Sequence, residues 1–251
     1  MNINRRKFLK VGGAFTLGLG LLPLRHVFAS STMHTEGKTS STGKNWAMII
    51  DMDKLEADKD ACISACHKVH NVPNIGNKKE EIKWIWTDSF EKMFHDINHN
   101  FTSIRDKEFL ALCNHCENPA CVRVCPTKAT FKNKEGIVMM DFHRCVGCRY
   151  CMAACPYGAR SFNFRDPRPY IEEINPKYPT RTKGVVEKCN FCTERLAVGL
   201  PPACVEASKN GGLVFGDLND PSSEVRKLLS SRNTIQRKSS LGTAPKVFYI
   251  V

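Results

Sequence analysis

After Leu24 the sequence contains no long hydrophobic run, so no later segment supplies the about 20 apolar residues that a spanning helix needs. The first 29 residues contain no acid at all. The glycine string Gly18-Leu19-Gly20 opens no strand–turn–helix unit, which excludes a nucleotide cradle there. No flavin motif and no nucleophile–base–acid triad is found, so bond-making catalysis has no evident seat on this chain. What is present is cysteine. Thirteen of 251 residues are too many for an ordinary cytoplasmic enzyme and too few for a small disulfide scaffold. With 42% hydrophobic and 25% charged residues, the chain can bury one sizeable core or two small ones.

The acid-free start reads as an export signal. A basic stretch, Asn4-Arg5-Arg6-Lys7-Phe8-Leu9-Lys10, precedes a glycine-interrupted apolar run from Val11 to Leu24 and a small-residue cleavage site at Val27-Phe28-Ala29. The paired arginines mark the twin-arginine route, which carries folded proteins and suits a cofactor inserted before transport. Both cleavage and retention as an anchor are compatible with this run. The expected location is the periplasm, peripheral to the inner membrane. A Ser-, Thr-, Gly- and Lys-rich leader follows over 30–44. The net charge of +12 would ordinarily suggest nucleic acid. Arg5, Arg6, Lys7, Lys10 and Arg25 belong to the signal, however. If twelve of the cysteines hold three [4Fe-4S] clusters, each carrying about −2 with its four thiolates when oxidised, the remaining basicity balances cofactors, and no nucleic-acid partner is expected.

The cysteines fall into four blocks. Cys145-x2-Cys148-x2-Cys151-x3-Cys155-Pro156 is the full bacterial ferredoxin run, in which three thiolates hold one cubane and the fourth reaches another. Cys113-x2-Cys116-x4-Cys121-x3-Cys125-Pro126 is the same device with two extra residues. Cys189-x2-Cys192-x11-Cys204 lacks its fourth ligand, with Ser208 at that place, and only Cys62-x3-Cys66 survives near the N-terminus, where Leu55, Glu56, Asp58 and Lys59 occupy the region of two earlier thiols. Exchange of fourth cysteines between nested blocks completes three sites. These are Cys113, Cys116, Cys121 with Cys155; Cys145, Cys148, Cys151 with Cys125; and Cys189, Cys192, Cys204 with Cys66. Pairing the blocks in order, or alternately, completes only two. The nested scheme predicts three [4Fe-4S] clusters and leaves Cys62 as a buried remnant beside a deleted fourth site.

Other readings of these thiols are weaker. Structural zinc uses C-x2-C pairs, but the four-thiol run ending in Pro belongs to iron–sulfur. Disulfides at such dense spacing would be strained. Cys62-Ile63-Ser64-Ala65-Cys66-His67 has one residue too many for haem attachment. His95-x3-His99 sits among polar residues and reads as a solvated loop.

Short apolar runs predict a first strand over Trp46–Asp51 and a last one over Lys246–Val251. Lys132–Gly136 predicts a hairpin turn into Ile137–Met140, Gly211-Gly212 a turn into Leu213–Phe215, and Ser222–Ser231 a short helix. Loops around cofactors are expected elsewhere. Trp84, Trp86, Phe101, Phe109, Phe131, Phe142, Phe162 and Phe164 read as core. Amides near Gly147 and Gly158 are candidate donors to cluster sulfur, and Arg123, Arg144, Arg149, Lys188 and Arg195 are candidate counter-charges.

The four-block arrangement resembles the iron–sulfur electron-transfer subunits that accompany dimethyl sulfoxide, polysulfide and tetrathionate reductases. Within them it is similar to the DsrO branch, the periplasmic subunits of DsrMKJOP membrane complexes. The resemblance rests on the twin-arginine start, the stretch from Ala65 to Pro73, Ile82-Lys83-Trp84-Ile85-Trp86, Cys113-Asn114-His115-Cys116, Gly136–Asp141, Thr180–Cys192 and the ending Val247–Val251. It implies electron relay between a multihaem cytochrome c subunit and an NrfD-type integral membrane quinone-interacting subunit in dissimilatory sulfur metabolism. The expected fold is α+β, with two ferredoxin-like modules wrapped by extra strands and loops. The expected organisation is a signal over 1–29, a leader over 30–44 and an iron–sulfur domain over 45–251. Its ferredoxin-like core covers about 106–165, and a second module combines about 46–75 with 185–216.

Overall fold

The computed structural model describes residues 43–95 and 107–251. The expected signal over 1–29, most of the expected leader, and Phe101 and His99 lie outside these residues. No helix among the described residues is long and apolar enough to cross a membrane.

The fold is α+β. A four-stranded sheet has the order β8-β1-β10-β9, formed by Leu213–Asp217, Trp46–Asp51, Val247–Ile250 and Thr234–Ile235. The first and last strands pair in parallel, Met48 opposite Val247 and Ile50 opposite Tyr249, while β8 and β9 run antiparallel to their neighbours. β1 is apolar from Trp46 to Ile50, ahead of its last residue Asp51, because both its faces are covered. Ala47 and Ile49 pack with Val225, whereas Met48 and Ile50 face the main core with Val247 and Tyr249. Val225 belongs to helix α8 (Glu224–Ser231), whose Ser223 cap accepts a hydrogen bond from the Arg226 amide.

Three two-stranded ribbons complete the strands: β2 (Ile85–Ser89) with β3 (Glu108–Leu112), β4 (Thr130–Lys132) with β5 (Val138–Met140), and β6 (Ser161–Phe162) with β7 (Val186–Glu187). The expected first and last strands, the Lys132–Gly136 hairpin, the strand after Gly212 and the α8 helix are all present. The β2–β3 ribbon stands where loops are expected from the sequence. Its buried Ile85, Trp86, Phe109, Leu110 and Leu112 join the main core.

The remaining helices are short: α1 (Met52–Leu55), α2 (Lys59–Val69), α3 (Phe90–Met93), α4 (Ala120–Arg123), α5 (Tyr150–Ala153), α6 (Thr193–Leu196) and α7 (Ala203–Ala207). Two pairs matter for the site. α2 packs on α7, and α4 packs on α5. The first pair carries Cys62, Cys66 and Cys204, the second Cys121 and Cys151. Of the aromatic residues assigned to the core, Trp84, Trp86 and Phe109 are buried, Phe142 and Phe162 half-buried, and Phe131 and Phe164 exposed.

Candidate metal centre

Two strands deliver equivalent cysteine turns. β3 runs directly into Cys113, and β7 reaches Cys189 through Lys188. In the C-x2-C turn that opens each of three blocks, the residue before the second cysteine has a positive φ: His115 at 40°, Gly147 at 70° and Phe191 at 55°. Lys128 and Gly158, each three residues after a Cys-Pro cysteine, repeat the feature at 55° and 63°. Non-glycine residues rarely hold this conformation, so its recurrence at His115 and Phe191 marks backbone folded around something. The rings of these two residues stack at 3.7 Å between centroids, which sets the Cys113 and Cys189 turns face to face.

Cys113, Cys116, Cys121 and Cys155 line one cavity together with Tyr157, Arg160 and Thr243. Burial, then the neighbouring Cys113, push the Cys116 thiol up to about 12. A second group is deeper. Burial pushes Cys66 well above the ordinary thiol value, reinforced by Cys189, Cys204 and Cys192 beside it, and Cys204 responds likewise to Cys192 and Cys189. Cys189 also feels Cys113, so the two groups adjoin. The third expected group opens to the surface. Cys151 is buried, with Cys145 and Cys121 close enough to raise its thiol after burial does, while Cys148 is exposed beside Val146 and Tyr150, which are 66% and 63% exposed. Cys125 has its Sγ 3.5 Å from the Thr130 amide and 3.7 Å from Thr127 Oγ1. The thirteenth cysteine, Cys62, is fully buried, and burial raises it to about 11.

Bare thiols crowded this way resist ionisation, and binding a cation centre removes that penalty because thiolate is the ligand form. Backbone donors already point at sulfur: Phe191 N–H to Cys189 Sγ at 3.4 Å and Ala203 N–H to Cys192 Sγ at 3.4 Å. At Cys155 the amides involved are those of Tyr157 and Ala159, flanking Gly158.

The charges give a further test of fit. Among the described residues, Arg160, Lys188 and Arg237 are buried and no carboxylate pairs with them. Arg160 donates to Cys121 Sγ at 3.1 Å, Lys188 to the carbonyls of Val138 and Cys189, and Arg237 to the Tyr157 carbonyl at 3.4 Å. Burying an uncompensated cation costs several kcal/mol, so these three call for negative charge nearby, which anionic iron–sulfur thiolate clusters supply. Of the expected counter-charges only Lys188 is buried. Arg123, Arg144 and Arg149 are exposed, and Arg195 pairs with Glu206 at 2.6 Å. Arg160 and Arg237 escape a reading of the sequence because neither lies within three residues of a cysteine.

His70 is a further site residue that the sequence does not signal. It is buried, with Nδ1 3.0 Å from the Cys66 carbonyl and 3.7 Å from Cys66 Sγ, and Nε2 2.7 Å from Glu194. Burial would lower it, but bonds to Cys192 and Glu194 raise it to about 9. His70, Cys192 and Glu194 place their ligand atoms within 4.8 Å of one another. The imidazole therefore contacts two cysteines of the deep group and holds them to Glu194. In the sequence His70 stands four residues after Cys66, a spacing that puts both side chains on one face of a helix but does not by itself mark a ligand.

Comparisons with known proteins agree with this chemistry. Residues 107–168 match the 4Fe-4S dicluster domain. The chain is similar to the Hdr-like menaquinol oxidoreductase iron-sulfur subunit 1 of Archaeoglobus fulgidus, 40% identical over 98% of this chain and 97% of that protein. It is similar to a component of the polysulfide reductase of Wolinella succinogenes, 38% identical over 82% and 94%. A component of the tetrathionate reductase of Salmonella typhimurium is 35% identical over 100% and 89%. With its grouped thiols, sulfur-directed amides and unpaired buried cations, this protein belongs to the family of [4Fe-4S] electron-transfer subunits of membrane-associated oxidoreductase complexes.

Proposed function

We propose that the chain is a periplasmic electron-transfer subunit with three [4Fe-4S] clusters. They are held by Cys113, Cys116, Cys121 and Cys155; by Cys145, Cys148, Cys151 and Cys125; and by Cys189, Cys192, Cys204 and Cys66. The two helix pairs α2–α7 and α4–α5 serve as the cores of two ferredoxin-like modules. The observation that carries this reading is the position of Cys66. It is far in sequence from Cys189, Cys192 and Cys204 yet sits beside all three, as exchange of fourth ligands between blocks requires.

Bound clusters supply one-electron outer-sphere chemistry. The chain's own residues would hold them side by side, the deep group next to the Cys113 group and that group next to the Cys145 group, with the first buried, the second half-buried and the third open to the surface. In this reading export is by the twin-arginine route. The partners are an NrfD-type integral membrane subunit and a multihaem cytochrome c, and the setting is dissimilatory sulfur metabolism.

The test is anaerobic iron, zinc and acid-labile sulfide per chain, with electron paramagnetic resonance after reduction. About twelve irons and twelve sulfides are expected at four of each per cluster. About eight, or a native three-iron signal, overturns the assignment of Cys66, and mainly zinc overturns the electron-transfer role.

A second reading is favoured by the match to the tetrathionate reductase component across the whole chain. In it the chain feeds electrons to a molybdenum-containing sulfur-oxyanion or polysulfide reductase. Purifying the complex separates the two, since the first carries haem and the second a molybdopterin subunit.

A further inference from the structure

Arg160 follows Cys155 by five residues, beyond the Cys-Pro turn, and is 5% exposed. Its guanidinium reaches in two directions. Nη2 donates to Cys121 Sγ at 3.1 Å, and Nη1 donates to Thr130 Oγ1 at 3.1 Å. Thr130 in turn points its hydroxyl at Met140 Sδ at 3.2 Å and its amide at Cys125 Sγ at 3.5 Å. Cys121 belongs to one set of four thiols and Cys125 to the next, so one buried cation and one threonine connect ligands of two sites.

The cation is also close to Cys151 of the second set and Cys113 of the first, both of which favour its charged form. Among the described residues no carboxylate competes for it; its charge faces sulfur on every side that carries charge, with neutral Thr130, Met140 and His115 filling the rest. An arginine keeps its charge at all working pH values, and its bonds to thiolate are of the stronger, charge-assisted kind.

We propose that Arg160 is a shared positioning residue for the two sites, a fixed charge that favours the reduced state of both and ties their potentials together. The proposal rests on the electron-relay reading above. As an electron crosses, one site is oxidised by one electron and the other reduced by one, and Arg160 gains and loses neither electron nor proton. Its field acts on whichever site holds the extra electron, so the step between the sites is kept small while both stay easier to reduce than the thiolates alone would allow.

The test is anaerobic redox titration followed by electron paramagnetic resonance on the full chain, with signals assigned through Cys155→Ser and Cys125→Ser. In Arg160→Gln with about twelve irons retained, half-reduction of both the Cys113 and Cys145 sites is expected to need at least a tenfold higher ratio of reductant to oxidant. For one electron this is a shift of about 59 mV to more negative potential. The Cys66 site is expected to move less. In Arg160→Lys the charge survives but a single ammonium cannot span both Cys121 and Thr130, so the gap between the two potentials changes while the mean falls less than in the glutamine variant.

Full iron with unmoved potentials, or movement at one site alone in the glutamine variant, overturns the proposal and leaves the relay reading intact. If the glutamine variant fails to load, the lysine variant decides: potentials equal to wild type, or loss of iron there too, overturn it and make Arg160 a folding residue only. Absence of [4Fe-4S] signals from the unmutated protein would instead overturn the relay reading itself.

Discussion

The hydroxyl of Ser208 lies beside the thiol of Cys62 and favours its ionisation, against the burial that raises it. In a four-block scheme these two positions would supply ligands to the same fourth site, so the remaining thiol of that site now faces the serine that stands in place of its partner. The surrounding space is filled by protein. Ser208 Oγ accepts from the Leu213 amide at 3.2 Å, Leu55 is fully buried, and a Cβ on Gly212 would lie 2.7 Å from Leu55 backbone and side chain. The row of thiol groups therefore ends at Cys204, and protein packing closes it there.

The first prediction follows from this contact. Cys62→Ala removes no cluster ligand, so iron and sulfide per chain are expected to stay at the wild-type level. The lost sulfur packing is expected to cost about 1–3 kcal/mol in stability. Metal analysis beside a thermal melt checks both. A drop of about four irons would show that Cys62 holds metal after all.

Much of this arrangement is legible in the sequence because thiol spacing is a hard geometric constraint. The proposed loss of a fourth site as a unit is read from the thiols missing around Leu55–Lys59 and at Ser208, with Cys62 left over. β1 and β10 are legible for another reason, since each is a short β-forming run bounded by polar residues. What the sequence hides is pairing across distance. Trp86 opposite Ala111 in the β2–β3 ribbon and Arg160 reaching Thr130 depend on tertiary placement that no local period encodes. The left-handed turns at His115 and Phe191 are hidden too, because neither residue type announces a positive φ.

Cys66→Ala should act differently from Cys62→Ala although the two lie four residues apart on α2. Cys66 faces Cys189, Cys192 and Cys204, so its loss is expected to lower the iron count from about twelve to about eight, or to leave a three-iron signal from that site. The signals of the Cys113 and Cys145 sites are expected to persist. Unchanged iron would show that the deep group takes its fourth ligand elsewhere.

Glu187 and Arg181 form an ion pair at 2.6 Å with both side chains fully buried. Glu187 also accepts from Trp84 Nε1 at 2.9 Å and Asn163 Nδ2 at 2.6 Å, while Arg181 donates to the carbonyls of His70 and Asn71. The pair thus joins the end of the Cys66 helix to the strand that delivers Cys189. Glu187→Gln leaves a buried cation unpaired and is expected to cost about 3–5 kcal/mol. That corresponds to a fall of about 6 °C or more in thermal midpoint for a chain of this size. A midpoint within a degree of wild type would mean that water reaches Arg181.

Gly147 sits inside the Cys145-x2-Cys148 turn with φ +70°, and an added Cβ would press on the Gly184 carbonyl oxygen and come within 3.2 Å of the Phe162 ring. Alanine there meets both a backbone conformation it disfavours and a backbone atom that cannot swing aside. Gly147→Ala is expected to lose about four irons from the exposed site and keep the others. Gly158→Ala, also at positive φ but with open space around its Cβ, is expected to cost about 1 kcal/mol from backbone strain and to retain its iron. Equal iron in both variants would show that the Gly147 contact relaxes.

Exposure orders the sites for removal of metal. Cys148 is at the surface between the exposed Val146 and Tyr150, whereas Cys66, Cys189, Cys192 and Cys204 are buried and the Cys113 group lies between. Oxidant and chelator must reach a cluster to extract its iron, so loss is expected in steps, about four irons leaving first with the signal of the Cys145 site. The deep site should persist longest, because its release requires α2 and α7 to separate. When those irons go, the thiols raised by mutual crowding are left without a cation, and the main core they help line is expected to loosen. Time-resolved iron release under anaerobic chelation, followed in parallel by circular dichroism, measures this order. Simultaneous loss of all iron with the fold would mean that the exposed site opens only when the whole protein does.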